Sequence, residues 1–273
     1  MIGLALAAAG LATDAFWLEP SSLRLARYPV PVDAPVLKGL RIAVISDLHA
    51  GSLYIDGAKI DRIVAMTNAA NPDLIVLTGD YVITDVVAGR HMKIEDIVAH
   101  LKFFHARLGI YAVIGNHDRW EDADHIANVF RSAGIAVLEN ENMAIATSRG
   151  PFYLAGIGDH YTHASDPIRA LKNVAGGIKA LCITHSPDVF PDLPPSCALT
   201  IAGHTHGGQV WLPLLDRPAV AAGISIYGQR YAVGLIREGG KALFVSPGIG
   251  TSGLPMRFGV PPEISFLTLG NQF

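Results

Sequence analysis

From residue 40 onward the chain alternates between short apolar runs and longer stretches that carry a single apolar stripe. Residues 40–46 read Leu-Arg-Ile-Ala-Val-Ile-Ser, rich in β-branched side chains, the pattern of a strand buried on both faces. Residues 57–70 place Ile60, Ile63, Val64 and Thr67 at helical spacing, and Asn71-Pro72 ends that helix. Residues 74–77 predict a second strand, 91–108 a helix with Ile94, Ile97, Val98, Leu101 and Phe104 on one stripe, and 110–114 a third strand. A helix at about 122–133 precedes shorter β-like segments at 135–138, 143–146 and 152–157. Further strands are predicted at 180–184, 198–202, 231–237, 242–246 and 264–269, with fewer helices between them. Alternating strand and helix argue for an α/β layered fold, and the strand-rich second half argues for two sheets. Residues 40–273 read as one domain.

Ahead of that domain the periodicity is lost. Residues 18–39 hold four prolines and are expected to form an extended lead-in. Residues 1–13 carry no charged side chain, and Asp14 interrupts the apolar stretch before Phe16 and Trp17. That stretch is shorter than the roughly 20 residues a spanning helix needs, and no basic residue precedes Leu4 as in a secretory signal. Three readings of residues 1–17 stay open: a membrane anchor, a signal-like segment, or a helix packed on the domain. Trp17, followed by Glu19-Pro20-Ser21-Ser22, suits the interface end of an anchor.

Composition adds one thing to this picture. Half of the 273 residues are apolar and only 16% are charged, against about 25% in an average soluble protein. A large core, a membrane-facing surface, or both would account for the difference. The net charge of −3 points to no partner, and no basic run could neutralise a row of phosphates, which leaves nucleic-acid binding without electrostatic support. Two cysteines make neither a disulfide framework nor a thiolate zinc site. Cys182, inside the run Ala180-Leu181-Cys182-Ile183, is expected to be a buried, unpaired thiol.

Polar residues gather just past the ends of the apolar strands. Asp47-Leu48-His49 follows the first, Gly79-Asp80 the second, and Gly115-Asn116-His117-Asp118 the third; His185 follows the strand at 180–184, and Gly203-His204-Thr205-His206 the strand at 198–202. In open α/β sheets the ligand crevice lies outside the carboxyl ends of the strands. Any one of these histidines alone reads better as structural, and His91, His100, His105, His125, His160 and His163 keep that reading. The ordered set of five is different, because burying unpaired carboxylate, imidazole and amide groups would cost several kcal/mol apiece. An oxygen and nitrogen donor set without thiolate suits manganese, iron or zinc. The donors exceed the needs of one ion, so two divalent ions sharing a carboxylate are expected.

The order Asp47-x-His49, Gly79-Asp80, Gly115-Asn116-His117-Asp118, His185, Gly203-His204-x-His206 resembles the calcineurin-like metallophosphoesterase family, over residues 40 to about 270. That resemblance implies a four-layer sandwich, two packed β-sheets flanked by helices. It also implies a phosphoester hydrolase, with a hydroxide bridging two divalent ions as nucleophile. Carried over by motif, Asp47, His49 and His206 would hold one ion, Asn116, His185 and His204 the other, and Asp80 would bridge. His117 would stand by the phosphate as the catalytic residue. Arg119, Tyr81 and Arg257 are candidate substrate contacts.

Glu19-Pro20, Gly79-Asp80-Tyr81-Val82, Gly203–Gln209 and the 253–259 loop (Gly-Leu-Pro-Met-Arg-Phe-Gly) resemble bacterial membrane-associated members. This implies membrane association, with a cytoplasmic enzyme as the other reading, and a phosphate-ester substrate that is lipid-linked or membrane-proximal. A phosphodiesterase is the leading expectation. A phosphomonoesterase, a nucleotide pyrophosphatase and a non-enzymatic metal-binding module are the alternatives. One departure stands out: many members have Gly-Asp-x-x-Asp where this chain has Ile83, so Asp118 and Asp85 become the candidates to orient His117.

Overall fold

A computed structural model describes residues 1–84, 86–174, 178–212, 217–219 and 223–270. Strands β1 (Arg24–Pro31), β2 (Arg41–Ile45), β3 (Leu74–Leu77), β4 (Ile110–Ala112) and β5 (Ala136–Val137) come first. Next are β6 (Glu141–Ile145), β7 (Phe152–Gly156), β8 (Ala180–Ile183) and β9 (Cys197–Ala202). The short pair β10 (Trp211–Leu212) and β11 (Arg217–Pro218) precedes β12 (Gly234–Glu238), β13 (Lys241–Val245) and β14 (Glu263–Gly270). One sheet has the order β1-β14-β2-β3-β4-β5 and the other β12-β13-β9-β8-β7-β6. Strands β2 to β5 run parallel, as do β7, β8, β9 and β13, so each sheet gathers several carboxyl ends at one edge.

Period-two alternation decides which face each side chain takes. On β2, Ile42 and Val44 turn inward and pack with Leu181, Ile183, Leu199, Ile201 and Phe244 of the second sheet. Ala43 and Ile45 turn outward, onto Ile60, Ile63 and Val64 of the helix Gly57–Ala69 and Ile94, Ile97 and Val98 of the helix Ile94–Leu101. Ala170 and Val189 of the short helices Pro167–Ala170 and Pro187–Asp192 cover the outer face of β7, β8 and β9, which gives the two packed sheets flanked by helices that were expected, with both faces of the central strands dry. Asp56 caps the Gly57–Ala69 helix by accepting the Lys59 N–H at 2.8 Å.

Three expectations need correction. The lead-in is not merely extended: β1 pairs in parallel with β14 along its whole length. Pro29 and Pro31 are compatible with this because β1 is an edge strand, where a missing N–H costs no ladder bond. Cys182 is not a free thiol. It is disulfide-bonded to Cys197 across β8 and β9, with Cα atoms 5.7 Å apart. The N-terminal helix runs further than the apolar stretch does, because helical backbone continues from Ile2 through Ser21, past Asp14 and Glu19. None of Ile2–Thr13 is buried, so this part of the helix does not pack on the domain.

Candidate metal centre

The polar groups beyond β2, β3, β4, β8 and β9 meet at one edge of the sandwich, and Asp47, His49, Asp80, Asn116, His117, His185, His204 and His206 are all buried there. The backbone turns sharply to aim them. Asp47, His49, Asp80, His204 and His206 have φ of 50°, 43°, 57°, 72° and 53°, a left-handed region in which aspartate, asparagine and histidine are the commonest non-glycine residues. The turns also pack without side chains between them. A Cβ on Gly115 would fall on Asp80 Oδ1, and one on Gly203 would fall on Ser46 Oγ beside Asp47.

Three overlapping donor groups result, Asp47-His49-His206, His49-Asp80-His117 and Asp80-His185-His204, each with donor atoms within 4.8 Å of one another. Asp80 joins them: its Oδ2 lies 3.6 Å from His49 Nε2 and 3.2 Å from His185 Nε2. On one side, His206 Nε2 lies 3.0 Å from His49 Nε2 and 3.5 Å from Asp47 Oδ1. On the other, His185 Nε2 lies 3.1 Å from His204 Nδ1 and 3.0 Å from Asn116 Oδ1. Ring nitrogens facing each other at such distances, fully buried, call for a cation between them.

Hydrogen bonds fix which nitrogen is available. His185 Nδ1 donates to the Thr78 carbonyl at 2.7 Å, and His204 Nε2 donates to the Ile224 carbonyl at 2.8 Å. A carbonyl only accepts, so the lone pairs sit on His185 Nε2 and His204 Nδ1, both facing the cluster. Burial drives the His49 pKa down to about 3, and burial together with His185 drives His204 down to about 4. His206 is likewise held well below its ordinary value by burial, so these three rings are neutral donors. Burial also opposes charge on His185 and Asp80, but each outweighs that for the other: His185 is held well above its usual range and Asp80 well below. Burial lifts Asp47 to about 6, and Ser46 donates to its Oδ2 at 2.5 Å.

His117 stands at the open side, its ring 4.8 Å from that of His49 and its N–H donated to Asp80 Oδ1 at 2.9 Å. Thr84 Oγ1 holds its Nδ1 at 2.6 Å. Asp118 has a different task from the one expected: its carboxylate accepts the N–H groups of Gly115, Asp80, Tyr81 and Val82, tying the β3 and β4 turns together. Asp85 lies outside the described residues. Nothing in the sequence marks Thr84, because the residue that holds the ring is a hydroxyl next to Ile83 and not the carboxylate the family pattern would put there.

The candidate substrate contacts are not gathered at the site. Tyr81 is a core residue, its hydroxyl donating to the Val113 carbonyl at 2.8 Å and its ring against Phe130. Arg119 pairs with Glu139 at 2.7 Å. Arg257 is wholly buried and spends its donors on the Gly250, Val260 and Pro247 carbonyls, with Nη2 3.4 Å from His206 Nδ1. Its role is to brace the 247–260 loop behind His206. Of the histidines read as structural, His91, His100 and His125 pair with Glu121, Asp61 and Glu95 on the surface.

A cavity of about 640 Å³, lined by Lys38, Lys179, Arg237 and Lys241, lies at the opposite edge of the sheets, away from every one of these donors. A smaller cleft of about 310 Å³ adjoins the centre instead, with His206 in its wall beside Val210, Ile224, Leu254 and Met256.

The chain is 30% identical to phosphodiesterase YaeI of Escherichia coli over 93% of its length and 90% of the relative's. It is 29% identical to an uncharacterised metallophosphoesterase, YkoQ of Bacillus subtilis, covering 85% of this chain and 84% of that one. It is also 29% identical to a zebrafish transmembrane protein with a metallophosphoesterase domain, over 88% of this chain and 56% of that protein. Residues 40–224 match the model of the calcineurin-like phosphoesterases, and the chain belongs to that family.

Proposed function

We propose that the protein is a phosphodiesterase that works with two divalent ions, with manganese, iron or zinc as the metals, on a lipid-linked or membrane-proximal phosphate. Membership of the family makes it a hydrolase of phosphate esters. The observation that carries the finer reading is the position of Asp80 Oδ2 between His49 and His185, one carboxylate common to two donor groups. We assign Asp47, His49 and His206 to one ion, Asn116, His185 and His204 to the other, and Asp80 to both. His49 Nδ1 is buried without a hydrogen-bond partner among the described residues, and we assign the metal to its Nε2, which faces Asp80 and His206. Bound divalent ions supply positive charge for the phosphate and lower the pKa of water toward about 7.

The chain's own residues do the rest. Asp80 Oδ1 fixes the His117 backbone, and Thr84 at Nδ1 sets the ring. We assign His117 Nε2 as the atom that gives a proton to the leaving oxygen. The apolar cleft beside His206 suits the greasy substituent of a diester, which favours a lipid-linked substrate over a small polar monoester. Membrane association is supported by the helix Ile2–Ser21, of which Ile2–Thr13 is apolar, uncharged and not buried anywhere against the domain.

The test is hydrolysis of bis-(p-nitrophenyl) phosphate and of p-nitrophenyl phosphate by metal-stripped protein refilled with manganese. Activity that returns with metal and favours the diester is expected. Preference for the monoester would make the protein a phosphomonoesterase. Silence on both esters with two ions bound per chain would overturn the catalytic reading.

A further inference from the structure

Outside the N-terminal helix, ten large apolar side chains are exposed among the described residues, and six of them cluster on one edge. Leu53, Val87, Trp120, Tyr161, Ile226 and Leu254 sit on the connections that leave the carboxyl ends of β2, β3, β4, β7, β9 and β13. Those connections also hold Asp47, His49, Asp80, Asn116, His117, His204 and His206, so the apolar side chains ring the mouth of the metal centre. Scattered exposed apolar residues need no explanation, but a contiguous set around a functional site does.

Contiguity can be followed bond by bond. The Trp120 ring lies 4.9 Å from His117 and 6.1 Å from Tyr161, which in turn lies 4.9 Å from His204. The Val87 N–H donates to the carbonyl of Gly253, next to Leu254. Leu254 and Ile224 share the cleft that opens beside His206.

The helix Ile2–Ser21 leaves the domain from this same edge. The Arg257 N–H donates to the Ala15 carbonyl at 2.9 Å, and Glu19 accepts the N–H groups of Gly259 and Val260. Next to Leu53, the Tyr54 hydroxyl donates to the Phe16 carbonyl and its ring meets Trp17 at 6.4 Å. A helix in a bilayer that is latched at its end to these loops brings the loops to the lipid. Trp and Tyr at such a boundary have an apolar body for the acyl region and a polar tip for the headgroups.

We infer that this edge of the domain rests on a lipid bilayer, with Leu53, Val87, Trp120, Tyr161, Ile226 and Leu254 entering the headgroup boundary and the metal centre facing the membrane. The inference rests on the membrane reading of Ile2–Ser21 given above, and deepens it from tethering to orientation. Phosphoesters would then reach the centre from the lipid side, through the cleft beside His206, without leaving the membrane.

The experiment uses the full metal-loaded chain in vesicles of phosphatidylcholine with a minority of phosphatidylglycerol. Single cysteines introduced by Leu254→Cys, Ile226→Cys, Leu6→Cys and Ile168→Cys, each in a separate variant, are labelled with a small fluorophore; the native pair is engaged in its disulfide. Nitroxide lipids should remove most of the fluorescence at positions 254, 226 and 6 and none at 168. Quenching at 6 alone would overturn the inference while leaving the anchor in place. Equal quenching at 254, 226 and 168 would overturn it as well, since it would show no preferred face. Absence of quenching at 6, 226 and 254 together would remove the membrane reading with it.

Discussion

His117 and Thr84 are a pair whose loss should be felt in turnover and not in metal content. His117→Ala is expected to lower kcat by about 10²–10⁴, the usual weight of a general acid, with metal analysis still returning two ions per chain. Equal loss of metal would make His117 a ligand and sink the assignment. Thr84→Val should lower kcat by about tenfold and move its pH profile, because the ring loses its hold at Nδ1; Thr84→Ser should restore both. Were Thr84 merely a surface residue, the pH profile would not shift. Arg257→Met acts on the fold instead: three carbonyls lose their donor in a buried loop, at about 1–3 kcal/mol for each one left unsatisfied. Chemical denaturation would read that out, and an unchanged midpoint would contradict the bracing role.

Strands β2, β3, β4, β8 and β9 were readable because each lies in a short apolar run that gives way within a few residues to glycine and polar side chains, so both the strand and the place where its chemistry begins are written locally. The helix Asn116–Ser132 is broken at Asp122, whose backbone is non-helical and whose side chain accepts the His125 N–H; the helix expected from about 122 is its second part, and the first carries Asn116, His117 and Asp118. β1 was missed because an edge strand tolerates prolines that would exclude a central one, and its partner β14 lies 239 residues away at the pair Arg24 and Glu263. The disulfide was missed for a related reason. Pairing depends on β8 and β9 being neighbours in register, which neither cysteine's own surroundings reveal. It closes a 15-residue loop, worth about 3 kcal/mol in the chain-entropy account. Cys182→Ala with Cys197→Ala should lower the thermal midpoint by several degrees, and an unchanged midpoint would argue that the bond does not form in solution. Such bonds persist in oxidising compartments.

Considered whole, the molecule keeps an unusual number of ionisable groups inside, and their balance should depend on metal. Burial and the neighbouring Asp80 raise Asp118 to about 7 from an ordinary 3.8. It therefore favours the folded state while protonated, and that contribution is lost as pH rises through 7. His185, held well above 6.5 by Asp80 against the effect of burial, loses its contribution in the same direction at higher pH. His49 and His204, lowered to about 3 and 4, act the opposite way, but only below 6.5. Metal-free protein should therefore lose thermal stability from pH 6.5 to 8.5, while metal-loaded protein, with cations in place of protons, should not. Parallel curves for the two forms would refute this account.

The left-handed backbone at Asp47, His49, Asp80, His204 and His206 has a further consequence. Each such turn costs about 1 kcal/mol relative to a relaxed one, and all five converge on the same small volume. Their winding is opposed by local sterics and sustained by what the side chains jointly grip. Amide hydrogen exchange offers a direct view of that tension. When metal is removed, protection should vanish first at residues 47–50, 79–82 and 203–207, while the strands that launch these turns, locked in two dry sheets, continue to exchange slowly. The centre would then be a set of sprung turns whose clasp is the cation itself.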